Sequence, residues 1–351
     1  MATGYGGRVG PHSATAAPAA PQHAPLVDGY GRVARDLRVS VTDVCNLRCR
    51  YCLPDERVAW LPRDQRLDDD ELVRLVSLLA RLGVRTVRVT GGEPLVRPGL
   101  AGLVERIATV DGIEEVSLTT NGVLLAKHVA ALAAAGVSRV NVSMDSVDPV
   151  RFAELTRRDL LAKVLEGIAA AREAPGIAQV KLNAVAMRGI TEREAVDLVA
   201  FARAQDLQLR FIEVMPLDAG HRWQPTDVLR AEELRAIIAE RWELEPLERA
   251  PSSTARVFRF ADGGGEVGFI ASVSEPFCAD CDRLRLTADG QLRTCLFAHG
   301  ETDLRGPLRD GADDGRLAGI VRAAVADKQW GHEIHRPGFR PPARSMSAIG
   351  G

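Results

Sequence analysis

Leu37, Val39 and Val41 alternate with Arg38, Ser40 and Thr42, and an apolar–polar period of two predicts a strand with one dry and one polar face. Farther on, Asp68, Asp69 and Asp70 stand ahead of an apolar stripe at Leu72, Leu75, Val76, Leu79 and Leu82, which Gly83 ends; this predicts a capped amphipathic helix. A second strand is predicted over 84–89. The same cycle returns at 115–118, 139–142, 180–185 and 209–214, with helical stretches such as 123–135 and 192–205 between them. Strands that alternate with helices form a parallel sheet with right-handed crossovers. Six such units predict an α/β fold, a partial (β/α)6 barrel open on one side, whose ligands bind at the carboxyl ends of its strands.

After Met215 the cycle stops. A helix is predicted over 230–240, a hairpin from 257–260 and 266–271 across Asp262-Gly-Gly-Gly265, and a last helix over 317–328. Residues 1–28 are rich in Ala, Gly, Pro and His without a period, which predicts a disordered tail. The organisation expected is therefore a tail over 1–28, the barrel over 29–220, an extension over 221–335, and a flexible Pro/Arg/Ser-rich tail over 336–351 ending in Gly350-Gly351.

Charge narrows the ligands. The 351 residues carry a net charge of −2, so no global basic field recruits nucleic acid, and an anionic ligand must be held by local cations. Arg38, Arg88 and Lys181 are candidates, since each stands on a predicted strand amid apolar residues, where a lone cation is costly to bury. There is no run of 18 apolar residues and no signal segment, so no membrane span is expected and a cytoplasmic location is.

The six cysteines fall into two groups of three. Cys45-x3-Cys49-x2-Cys52 is too compact for independent core thiols and points to an iron–sulfur cluster. A cubane takes four ligands, so three leave one iron open to a non-protein group. Cys278-x2-Cys281-x13-Cys295 again supplies three. A zinc site remains the rival for the second group, although zinc favours four closed ligands.

The first triad, with Tyr51 before its last cysteine, resembles the radical S-adenosylmethionine (SAM) superfamily. Asp36-Leu-Arg-Val-Ser-Val-Thr-Asp43, Thr90-Gly-Gly-Glu-Pro94, Thr119-Thr-Asn-Gly122 and Asn141-Val-Ser-Met-Asp145 resemble, more narrowly, the GTP 3′,8-cyclase family of molybdenum cofactor biosynthesis, from about Arg32 to the last residue. The resemblance implies two [4Fe–4S] clusters, the second carried by the extension. It implies SAM held by Tyr51, Gly92, Ser143 and Met215. It implies GTP held by Arg38, Arg88, Thr119, Lys181, Arg283 and Arg285, with Arg210 a further candidate, and Gly350 and Gly351 reaching into the active site. The implied reaction forms 3′,8-cyclo-7,8-dihydro-GTP, with an electron donor such as flavodoxin or ferredoxin, a downstream cyclic pyranopterin monophosphate synthase, and a homodimer as expected partners. The chain departs from the family at Thr86, where members often carry a lysine. A radical SAM peptide maturase is the rival enzyme reading, and an iron–sulfur carrier or zinc-stabilised binding protein the rival without catalysis.

Overall fold

Side chains in the parallel strands sort onto two faces of opposite chemistry, and this sorting builds the molecule. The strands are β1 (Asp36–Ser40), β2 (Thr86–Thr90), β3 (Glu115–Thr120), β4 (Val137–Ser143), β5 (Gln179–Ala186) and β6 (Gln208–Glu213). On the outer face Leu37, Val39, Val87, Val89, Val140, Val142, Leu182, Ala184, Leu209 and Phe211 are buried in one continuous core. They pack under α1 (Asp69–Arg81), α2 (Leu100–Ala108), α3 (Leu125–Ala134), α4 (Pro149–Thr156), α5 (Leu161–Glu173) and α6 (Thr191–Ala204). The alternating positions, among them Arg38, Arg88, Ser117, Asn141, Asn183 and Arg210, turn inward. A closed eight-stranded barrel fills its interior with branched apolar side chains; a polar interior of this kind is instead a place for ligands.

The computed structural model describes residues 24–53, 58–250 and 252–351. Helix α1 begins as its sequence requires, with Asp68 and Glu71 forming a reciprocal capping box. After β6 come α7 (Ala231–Ala239), β7 (Leu244–Pro246), β8 (Arg256–Phe260), β9 (Glu266–Ile270), β10 (Arg283–Leu286), β11 (Gln291–Arg293), β12 (Thr302–Asp303), α8 (Arg305–Arg309), α9 (Asp314–Ala326) and α10 (Met346–Ile349).

The hairpin expected beyond β6 is β8 paired antiparallel with β9. Less expected is how the extension joins the barrel. All strands form one sheet in the order β12-β11-β10-β1-β2-β3-β4-β5-β6-β9-β8-β7. Strand β10 runs parallel to β1 and β9 parallel to β6, so the extension covers both edges of the six-stranded unit, which would otherwise expose unpaired backbone groups.

The disorder expected of 1–23 lies outside the described residues, but that of 24–28 does not hold. Leu26 is buried, its N–H donates to Leu82 O at 3.0 Å, and its carbonyl accepts from Ala34 N at 2.9 Å. One apolar anchor and a buried Asp28–Arg32 ion pair at 2.6 Å order this stretch, and neither produces a period along the sequence. Among the described residues no helix is long and apolar enough to cross a membrane.

Candidate active site

Three arginines stand abreast in the lumen. Arg38 on β1 is in register with Arg88 on β2 and with Arg285 on β10, which sets neighbouring backbones about 4.8 Å apart. Like charges opposite one another repel. Burial, then Arg285 and Arg88, push the Arg38 guanidinium well below its ordinary range. Burial and Arg283 bring Arg285 down to about 10; burial and Arg88 bring Arg210 to about 10; burial and Arg210 bring Lys181 to about 8. Among the described residues none of these four groups pairs with a carboxylate, and Arg38 Nε is buried without any partner. A site so arranged calls for a polyanion with several charge-assisted hydrogen bonds.

The cavity under these cations opens to solvent and is lined by the barrel wall, the loops and the extension together. Its barrel wall carries Arg38, Arg88, Thr119, Ser143, Asn183 and Arg210. Tyr51, Cys52 and Met215 line it from the loops, while Cys278, Cys281, Arg283, Arg285 and Cys295 line it from the extension. Met215 lies two residues beyond the end of β6 rather than on it. Lys181 faces the same lumen one step deeper, on the face it shares with Asn183, and does not reach the cavity wall. Thr86, the departing position, is in register with Asp36 and Glu115 at the barrel floor.

The first cysteine group is a turn following β1, in which the Cys52 and Leu53 N–H groups both donate to Cys49 O, at 3.0 and 2.8 Å. Gly91-Gly92 lies against its entrance. A Cβ on Gly92 would meet Asp43 O at 2.3 Å, and in its absence Gly92 N donates to Thr42 O at 2.7 Å and Glu93 N to Val44 O at 2.8 Å. The glycine pair therefore lets two backbones meet, and it holds the cysteine turn in place. Burial raises the buried Glu93 carboxyl to about 7, although Asn121 N, Leu95 N and Thr120 Oγ1 all donate to it. Tyr51 OH donates to Asp145 Oδ2 at 2.7 Å, and Asp145 Oδ1 accepts from Val185 N at 2.8 Å, which ties the turn to β5.

Burial pushes Cys45 up to about 11 and, with Cys45 beside it, Cys52 up to about 12, while burial, then Asp145 and the other two thiols, push Cys49 well above its ordinary value. In the second group burial likewise raises Cys295, and Cys281 and Cys278 add to the rise. At Cys281 burial is overcome by Arg283 and Lys328, which draw the thiol to about 7. Among the described residues no three His, Cys, Asp or Glu side chains converge on one ion-sized site; a four-iron cluster spreads its ligands more widely and does not require that. Each triad offers three half-buried free thiols from one short stretch of fold, and a donor set of thiols alone fits an iron–sulfur cluster.

The tail expected to be flexible is docked. Arg344 forms a two-pronged pair with Asp289 at 2.9 and 2.7 Å and also reaches Glu301 at 2.8 Å. Met346 N donates to Leu217 O at 2.9 Å, and Ile349 is buried. Gly350, at φ 92°, lies so close to β1 and β2 that a Cβ there would come within 2.8 Å of both Ser40 Cβ and Thr90 Oγ1, and Gly351 reaches the cavity. Charge pairs and close approach hold this segment; α10 is too short to have shown a period.

Residues 39–202 match the Radical SAM superfamily and 207–334 match Molybdenum Cofactor Synthesis C. The GTP 3′,8-cyclase of Streptomyces coelicolor is 52% identical over 93% of this chain and 96% of its own length. The chain belongs to the GTP 3′,8-cyclase family. Another member, from Mycolicibacterium smegmatis, is 50% identical over 97% of this chain and 96% of its own. As a radical SAM protein the family member uses SAM with iron–sulfur chemistry. Among solved structures, Streptococcus suis SuiB superposes with a TM-score of 0.55 at 15% identity, covering 84% of this chain and 69% of that one, which shows the fold alone.

Several residues that shape this family site were not anticipated from sequence. Asn183, whose Oδ1 is buried without a partner, lies between Ser143 and Arg210 in register; its place two residues after Lys181 on an alternating strand was the available signal. Asp145 was quoted within a motif, yet its bond to Tyr51 has no trace in the spacing. Lys328 and Gln329 beside the second cysteine group had none either.

Proposed function

We propose that this protein converts GTP to 3′,8-cyclo-7,8-dihydro-GTP, the first step of molybdenum cofactor biosynthesis. The observation that carries this reading is the uncompensated row Arg88–Arg38–Arg285 in a cavity bordered by both cysteine groups. It suits a triphosphate held between two redox centres.

Cys45, Cys49 and Cys52 hold one [4Fe–4S] cluster, and Cys278, Cys281 and Cys295 hold the second. Tyr51, Gly92, Ser143 and Met215 surround SAM, with Gly92 acting through the backbone it allows to pack. Arg38, Arg88, Thr119, Lys181, Arg283 and Arg285 bind GTP, with the guanidinium row neutralising the phosphates. When bound, cluster and SAM supply a 5′-deoxyadenosyl radical that removes the ribose 3′ hydrogen, and the protein contributes placement and exclusion of water. Gly350 and Gly351 cap the cavity at the carboxyl ends of β1 and β2, beside Ser40 and Thr90. An electron donor of the flavodoxin or ferredoxin kind, a downstream synthase consuming the product, and a homodimer complete the reading.

The deciding experiment is anaerobic incubation of reconstituted protein with dithionite, SAM and GTP. Equal amounts of 5′-deoxyadenosine and a cyclised GTP isomer are expected by mass analysis. 5′-Deoxyadenosine without a GTP-derived product would overturn the substrate assignment.

A further inference from the structure

One four-residue segment following α9 touches all three cysteines of the second group. Lys328 Nζ donates to Cys281 O at 2.9 Å, to Cys281 Sγ at 3.6 Å and to Arg283 O at 3.1 Å. Gln329 Nε2 donates to Cys295 Sγ at 3.6 Å and is itself oriented by Gly331 O at 2.8 Å. Gly331 lies so close to the third ligand that a Cβ on it would stand 2.9 Å from Cys278 Cβ and 3.0 Å from Cys278 Sγ. Behind the segment, Arg32 Nη1 donates to Cys278 O and to Trp330 O, both at 2.6 Å, and Nη2 donates to Gln329 O at 2.7 Å.

The charge of Lys328 identifies what this cradle serves. The residue is buried, and among the described residues no carboxylate pairs with it; it donates to two carbonyls and one sulfur. A buried ammonium without a counter-charge is strongly unfavourable. The negative charge available to it is that of thiolates gathered on a metal centre, and sulfur-directed donors are a principal means by which a protein sets a cluster's potential.

We infer that Lys328 and Gln329 are positioning residues of the second cluster, which orient Cys281 and Cys295 and raise its reduction potential by donating to their sulfurs. The inference rests on the proposed second cluster. Reduction adds one negative charge, so a nearby cation or N–H donor favours the reduced form, and its removal moves the potential to more negative values.

The test uses the full chain carrying Cys45→Ser, Cys49→Ser and Cys52→Ser, reconstituted anaerobically so that only the second site loads. Iron and sulfide are counted, and the midpoint potential is read from the paramagnetic signal of the reduced cluster during a mediated titration. In this background Lys328→Met is expected to shift the potential negative with iron retained, Lys328→Arg to stay near the parent, and Gln329→Leu to shift it negative by less. An unchanged potential in both Lys328→Met and Gln329→Leu overturns the inference. If Lys328→Met does not load iron, Gln329→Leu decides alone: a negative shift supports the inference and no shift overturns it. Failure of the parent triple variant to load any iron would instead overturn the second cluster itself.

Discussion

Arg285 Nη1 donates to the carbonyl oxygen of Gly350 at 2.5 Å, so an arginine of the lumen row is held by the second-last residue of the chain. The bond gives the tail a chemical task that its sequence of prolines and arginines does not display. A guanidinium in contact with a neutral carbonyl keeps its full charge, and the glycine backbone fixes where that charge points without filling the cavity.

Removing Gly350 and Gly351 should therefore leave iron content and SAM binding intact while cyclised product disappears, as mass analysis of anaerobic reactions would reveal. Gly350→Ala is the finer probe. Its Cβ would meet Ser40 and Thr90 at 2.8 Å, at a φ of 92° that side chains seldom adopt, and product formation should fall although only one methyl group has been added. Full activity in the truncated chain would remove the tail from the site.

The two cysteine groups should fail differently. Cys49→Ser removes a thiol from the turn that also carries Tyr51, and 5′-deoxyadenosine formation should vanish. Cys281→Ser leaves that turn untouched, so SAM cleavage should persist, uncoupled, while GTP is not cyclised. Chromatographic assay of 5′-deoxyadenosine alongside the GTP-derived product separates the outcomes, and normal cyclisation by Cys281→Ser would make the second group structural.

The cation row sets binding against stability. Arg38 is half-buried beside two other arginines, with its Nε buried and unpartnered, so in the ligand-free protein its charge is unfavourable, and exchanging such a charge for an apolar side chain is often stabilising. Arg38→Met should raise the thermal midpoint of the ligand-free protein. It should also weaken GTP binding by about 1.5–3 kcal/mol, the range for a charged hydrogen bond. A lower midpoint together with unchanged affinity would mean that Arg38 supports the fold and not the ligand.

Much of this was legible because two periods carry it. An alternation of two placed Arg38, Arg88 and Lys181 on lumen strands, and the cysteine spacings marked both triads. Register between distant strands was not legible. Nothing in the sequence near Arg283 says that β10 would lie parallel against β1 and bring Arg285 opposite Arg38, because pairing partners separated by some 250 residues are chosen by tertiary packing. The tail was misjudged for a related reason: its order comes from the Arg344 pair with Asp289 and from the close approach of Gly350, and single contacts leave no pattern along a chain.

Lys181 offers a test by pH. Burial and then Arg210 lower its amine from the ordinary 10.5 to about 8. Between those values the unfolded chain keeps a proton that the folded, ligand-free protein has released, so this residue makes stability rise with pH from about 8 to about 10.5 and contributes no slope below about 8. GTP reverses the balance, because bound phosphate favours the charged amine and restores its proton. Above about pH 8 binding must then take up a proton, and affinity should fall with rising pH by at most about tenfold per unit, whereas from about pH 7 to 8 it should stay level. Calorimetry of GTP binding to reconstituted protein, at about pH 9 in two buffers of different ionisation enthalpy, reads the uptake directly. The apparent enthalpies should differ for the parent protein and differ clearly less for Lys181→Met. Equal enthalpies for the parent would place Lys181 beyond the reach of the phosphates, one step too deep in the lumen to serve them.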